Sequence, residues 1–247
     1  MADLSGLQIT LACFVSVLAS TLGSFTGFGA GLILTLFLIP IIGTHSVVPV
    51  MAVAGLISNC GRCYAFRRHI HWLHARQLLW LGLPACCLGA YGYTLLNARW
   101  VGVALAITLL VSVAFRHWWL PRHRCQFNTA TELSAGAAFG FINGGVTGTG
   151  VFLISILMSV GLTGPVLLAT DALVSLVMGV AKVLLFGQTQ ALNMEFTLLG
   201  LVLGVATLPG AFIARYLLTR IPTKVHRIIM EAIVVIGAIV LLVGSLS

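Results

Sequence analysis
The chain is a succession of apolar runs separated by short polar loops: 7–22, 27–42, 47–66, 75–95, 100–115, 133–141, 146–160, 165–186, 196–218 and 228–246. A helix needs about 20 apolar residues to cross a hydrocarbon core about 30 Å thick, so the longer runs predict membrane-spanning helices. The expected fold is an all-α polytopic membrane protein with about 8–10 hydrophobic segments. Two stretches interrupt it with glycines and small polar side chains at what should be membrane depth, Gly23-Ser-Phe-Thr-Gly-Phe-Gly-Ala-Gly31 and Phe141-Ile-Asn-Gly-Gly-Val-Thr-Gly-Thr-Gly150. The runs beside them are short, since sixteen residues reach only about 24 Å. They are read as thin crossings, half-helices meeting at a break, or re-entrant hairpins.

The two breaks are related. Gly29-Ala-Gly31-Leu-Ile lies on Gly148-Thr-Gly150-Val-Phe with an offset of 119 residues in a chain of 247. Each break is followed by an apolar run, a short turn (Ile42-Gly-Thr-His-Ser46, then Gly161-Leu-Thr-Gly-Pro165) and further runs. Near the end of the third run of each half, Leu83-Pro-Ala-Cys-Cys-Leu-Gly-Ala-Tyr91 faces Leu208-Pro-Gly-Ala-Phe-Ile-Ala-Arg-Tyr216. The order of features predicts two copies of one unit, 1–120 and 132–247, joined by a cytoplasmic linker at 121–131.

Composition agrees with this class. The residues are 60% hydrophobic and 7% charged, with mean hydropathy +1.11, and no Asp, Glu, Lys or Arg occurs from Ser5 to Gly61 or from Leu133 to Thr170. A soluble domain cannot hide that much apolar surface, whereas a bilayer requires it. The N-terminus has no basic region before its first run and is not read as a cleaved signal peptide. A net charge of +8 would in a soluble protein suggest nucleic acid; here the cations sit mostly at run ends, as membrane topology demands, and nucleic acid is excluded as a partner.

Those cations gather after the third run (Arg62, Arg67, Arg68, Arg76), between the halves (Arg116, Arg122, Arg124) and before the last run (Arg215, Arg220, Lys224, Arg227). Placing all three groups in the cytoplasm requires an odd number of crossings per half, whether each glycine-broken pair contributes none or two. Odd parity inverts the repeats and puts both termini outside. Trp72, Trp80, Trp100, Trp118 and Trp119 lie near run ends and are read as interfacial anchors facing lipid.

Inverted repeats with glycine-broken segments at corresponding positions point to a secondary transporter with its site at the repeat interface. A helix that starts inside the membrane offers unsatisfied N–H groups and a positive dipole end, which favour an anion. The candidate ligand contacts are Thr26, Gly27, Gly29 and Gly31 in the first break and Asn143, Gly144, Gly145, Thr147, Gly148, Thr149 and Gly150 in the second. Glycine at such places serves either ligand approach or close helix packing, and both readings stand.

Here the residues resemble a known family. The glycine motif early in each half, the apolar run and Gly or Pro turn after it, and Ala169-Thr-Asp-Ala-Leu173 look like the TauE/SafE sulfite and sulfonate exporters, over nearly the whole chain. The resemblance implies a carrier of small sulfur oxyanions, organosulfonates or related organic anions in the bacterial inner membrane. The glycine cluster departs from the usual pattern, reading Gly27-Phe-Gly-Ala-Gly31 in the first half and Gly148-Thr-Gly150 in the second.

Asp171 lies six positions into its run, about 9 Å along a helix and within the hydrocarbon region. It is a candidate for proton or ion coupling, or alternatively a brace for a neighbouring break. Lys182, eleven residues on, shares its face but stands about 16 Å away, too far for a direct ion pair. Lys182, and Arg62 at a comparable place in the first half, either attract the anion or snorkel to the surface.

The rival reading is a transition-metal transporter or sensor using Cys60 and Cys63 with His69, His71 and His74. Cys13, Cys86, Cys87 and Cys125 suggest no disulfide framework. No nucleophile with a base and an orienting group is legible, so an enzyme is not expected, nor a cofactor. A homo-oligomer is compatible with the sequence.

Overall fold
The computed structural model describes residues 6–26, 30–114 and 128–217. Among the described residues there are nine α-helices and no strand: α1 (Gly6–Thr26), α2 (Ala30–Ile42), α3 (Thr44–Phe66), α4 (Trp72–Leu95), α5 (Ala98–Ala114), α6 (Thr129–Gly145), α7 (Gly150–Ser159), α8 (Gly164–Gln188) and α9 (Met194–Leu217). A single 3-10 turn, Arg67–His69, leads from α3 toward α4. The fold is that of an all-α membrane protein. By length and hydropathy Thr44–Tyr64, Trp72–Leu95 and Gly164–Gln188 are fit to cross a bilayer; shorter apolar helices include Ala30–Ile42 and Gly150–Ser159. The run at 228–246, the linker arginines, Cys125, Trp118 and Trp119 lie outside the described residues.

Local chemistry sets the helix ends. Asn97, Asn128 and Asn193 each accept a backbone N–H three residues on, at 3.1, 2.8 and 2.8 Å, and so cap α5, α6 and α9. Gly43 and Gly161 take positive φ in the short links before α3 and α8, Gly164 does so at the first position of α8, and Pro165 lies in its first turn.

The helices turn apolar side chains outward and polar ones inward. Phe14, Trp80, Leu88, Leu184 and Val205 are exposed, while Ser16, Ser20, Thr35 and Thr170 are buried. That distribution suits a lipid exterior around a polar interior.

Helix contacts carry the internal repeat. With α1 matched to α6, α2 to α7, α3 to α8 and α4 to α9, the close pair α4/α6 exchanges with α1/α9, and α3/α9 exchanges with α4/α8. The central pair α3/α8 maps onto itself. Pro84 and Pro209 fall inside the matched helices α4 and α9.

Glycines let these pairs touch. A Cβ on Gly136 would stand 2.8 Å from the Leu78 carbonyl oxygen of α4, and one on Gly140 would strike the Gly82 carbonyl. On the matching pair, a Cβ on Gly210 of α9 would come 2.6 Å from the Val17 carbonyl oxygen of α1. Such contacts are backbone against backbone and leave nothing to give.

Candidate functional site
The second break is shorter than the sequence suggests. α6 runs on to Gly145, so Asn143, Gly144 and Gly145 belong to its last turn, and the non-helical residues are Val146 to Thr149. The Val146 N–H still donates to the Ile142 carbonyl at 3.0 Å, which closes that turn. Gly144 and Gly145, offered by the sequence as ligand contacts, are instead packed against α4: a Cβ on Gly144 would strike the Cys86 carbonyl, and one on Gly145 would come 3.3 Å from the Gly89 carbonyl oxygen.

Gly148 is required twice over. Its φ is +80, in the left-handed region, and a Cβ there would overlap the Leu32 side chain of α2. This close approach brings the start of α2 to the start of α7. A Cβ on Gly31 would lie 3.9 Å from Gly148 Cα, and the Thr35 and Thr147 hydroxyls bond across the contact at 2.7 Å. Thr26's side chain, Gly27 and Gly29, the remaining ligand contacts expected of the first break, lie outside the described residues.

A cavity of about 200 Å³ opens beside this meeting point. The second break reaches it through Asn143, Thr147, Gly148, Thr149 and Gly150, and the first through Ala30 and Gly31. α1 and α9 add Ser20 and Thr207, whose hydroxyl and carbonyl bond to each other at 2.7 Å. The ionisable groups in the lining are Arg62 from α3 and Asp171 and Lys182 from α8.

Asp171 and Lys182 are buried and Arg62 is partly so. Asp171 is 1% exposed and Lys182 8%. The Arg62 guanidinium donates to Asp171 Oδ2 at 2.8 Å and to Asn59 Oδ1 at 2.7 Å. Lys182 Nζ donates to the Asn143 carbonyl at 3.0 Å, at the very end of α6. Lys182 therefore turns into the molecule rather than snorkelling outward. Asp171 and Lys182 line the same cavity without pairing, and the partner of Asp171 comes from the other half of the chain.

That ion pair is the feature sequence reasoning missed. Arg62 and Asp171 were each visible as charges in apolar runs, but nothing local joins residues 109 apart. Only a head-to-tail crossing of α3 and α8 does. Asn143 is positioned by contacts of its own: its Oδ1 accepts from the Thr149 hydroxyl at 2.8 Å, and its amide nitrogen lies 3.6 Å from Met178 Sδ.

The cysteines and histidines of the rival metal reading do not gather. Cys60 is exposed on α3 and Cys63 half-buried, both with free thiols, and His69 is exposed in the turn after them. His71 stacks on His74 with ring centroids 4.5 Å apart, and His74 Nδ1 lies 2.9 Å from the carboxylate of Glu132, a buried residue of α6. Among the described residues no three His, Cys, Asp or Glu side chains are placed to hold one metal ion.

A helical membrane protein with an internal two-fold pattern, and with a cationic, hydroxyl-lined cavity where two short helices begin, belongs to the class of membrane transporters. The particular family follows from the sequence profile. Residues 12–241 match the Sulfite exporter TauE/SafE family, and the chain belongs to it. No curated protein and no solved structure matches the chain.

Proposed function
We propose that this chain carries a small sulfur oxyanion or organosulfonate across the bacterial inner membrane by alternating access, coupled to a proton or another ion through Asp171. The halves 1–120 and 132–247, joined through 121–131, act as repeats inverted in the membrane, with the ligand between them. One observation carries the reading: the cavity holds two cations against a single carboxylate, at the meeting of two helix N-termini. With all three groups ionised its lining has one net positive charge, and the helix starts add to it. Neutral donors from Asn143, Thr147 and Thr149 suit the oxygens of a small oxyanion.

Asp171 explains coupling in the same terms. While ionised it pairs with Arg62 and repels an incoming anion; once protonated it raises the net charge of the cavity by one and favours an anion there. The anion and the proton then travel together.

The test uses purified protein in vesicles loaded with sulfite. Sulfite efflux driven by an imposed pH gradient, with a thermal shift that saturates in sulfite, thiosulfate or a small sulfonate, supports the proposal. Stabilisation by Zn²⁺ or Cu²⁺ alone, with no anion response, would sink it.

A further inference from the structure
The cavity has two ends, and they are built as a pair that differs in one member. Met51 and Arg62 line it from α3, Asp171 and Lys182 from α8. Each residue of the second pair follows its counterpart by 120 positions (171 less 51, 182 less 62), and the lining residues Gly55 and Ser175 between them keep the same spacing. Arg62, late in α3, meets Asp171, early in α8. Exchanging the halves turns that contact into Lys182, late in α8, opposite Met51, early in α3. Where the first arrangement has a carboxylate, the 120-residue register sets a thioether in the second.

Lys182 thus keeps the cation of the symmetric arrangement without its carboxylate. Among the described residues no acidic side chain pairs with it. Its ammonium uses one donor on the Asn143 carbonyl and has two more, inside a residue nine-tenths buried. A buried charge without an opposite charge is strongly disfavoured, so the place beside it favours an anion. Met51 also marks where the two short helices meet, since a Cβ on Gly31 would lie 3.9 Å from both Met51 Cε and Gly148 Cα.

We infer that the transported anion binds in this counter-ion position, between Lys182 and Met51 where α2 and α7 begin, standing in for the carboxylate that Asp171 supplies at the matching end. The inference rests on the carrier reading above and adds the ligand's place to it. It also assigns unequal roles to the two cations. Lys182 meets the ligand directly, Arg62 is held by an internal acid, and Met51 is the uncharged wall that keeps the position open.

The experiment builds the second carboxylate. Met51→Asp puts an anion opposite Lys182, and the protein's melting temperature is followed while sodium sulfite is titrated in chloride-free buffer. Without sulfite the variant should melt no lower than its parent, because the new acid finds a partner. Its apparent affinity for sulfite at neutral pH should fall on the order of 100-fold, the scale of two like unit charges about 6 Å apart at an effective dielectric of about 20. Acidification that protonates the introduced carboxylate should restore much of the affinity, and Met51→Asn should weaken binding far less at every pH. Should the aspartate variant fail to fold, Lys182→Met reports on the same point, and loss of the sulfite response is expected. Sulfite binding that survives Met51→Asp, or Lys182→Met, would overturn the inference while leaving the carrier reading intact. Absence of any anion response in the unsubstituted protein would overturn both.

Discussion
Removing the carboxylate of Asp171 is the sharpest test of how the cavity is held. In Asp171→Asn the Arg62 guanidinium keeps Asn59 at 2.7 Å but loses its ion-pair partner at 2.8 Å. Stranding one member of a fully buried pair costs about 3–5 kcal/mol. Arg62 is 26% exposed at its side chain, so solvent recovers part of this and about 2–3 kcal/mol is the expected loss. At roughly 2–4 °C per kcal/mol for a chain of this size, the melting temperature in detergent should fall by about 5–10 °C. Replacing both partners by apolar side chains, Arg62→Met with Asp171→Leu, should restore most of that loss, because no charge is then left unpaired. With Arg62→Met and Asp171→Leu also made singly, parent, both single variants and the double form a double-mutant cycle with an expected coupling of about 2 kcal/mol. In vesicles, Asp171→Asn should still move sulfite down its gradient but no longer respond to an imposed pH difference. A coupling below about 0.5 kcal/mol, the limit of additivity for independent sites, would refute the energetic argument. An unchanged response to pH would refute the coupling role.

Other substitutions probe the scaffold. Gly148→Ala must place a Cβ at φ +80 and into Leu32, and a loss of about 3 kcal/mol or more is expected, read as a fall in folded yield and melting temperature. Gly140→Ala sets a methyl group against the Gly82 carbonyl with no flexible neighbour to yield; separation of α4 from α6 should show as a lower melting temperature and faster hydrogen exchange in both helices. His74→Ala leaves the Glu132 carboxylate, 2% exposed, without the ring nitrogen at 2.9 Å, and a destabilisation of about 1–3 kcal/mol should appear in thermal melts, largely relieved by adding Glu132→Gln.

How much of this could be read in advance depended on whether the signal was local. Apolar runs declared the helices, because a membrane demands continuous apolar length, and the offset between Gly29-Ala-Gly31 and Gly148-Thr-Gly150 declared the repeat. The charges at Arg62, Asp171 and Lys182 stood out because ionised groups are costly inside apolar runs. Which charge meets which was not legible, since α3 and α8 must first cross. The glycines misled for a related reason. Gly144 and Gly148 look alike in sequence, yet one faces the backbone of α4 and the other turns the chain beside α2, and only the extent of α6 separates the two roles.

The same glycines constrain how the molecule can move. α4 belongs to the first half and α6 to the second, yet their backbones touch along Gly82, Gly89, Gly136, Gly140 and Gly144. The matching pair joins α1 to α9 through Gly210, and Ser20 and Thr207 bond across it. Pulling either pair apart would forfeit contacts along its length with no solvent to replace them. The rigid units therefore each take one helix from each half. α3 and α8 also pack closely, but both turn polar groups to the cavity and an ion pair joins them there. An ion pair can be exchanged for a bond to a ligand without loss of charge compensation, whereas a backbone contact has no such substitute. Rearrangement that opens the cavity to either side should therefore run along the α3/α8 seam, past Arg62 and Asp171, and leave the α4/α6 and α1/α9 pairs intact.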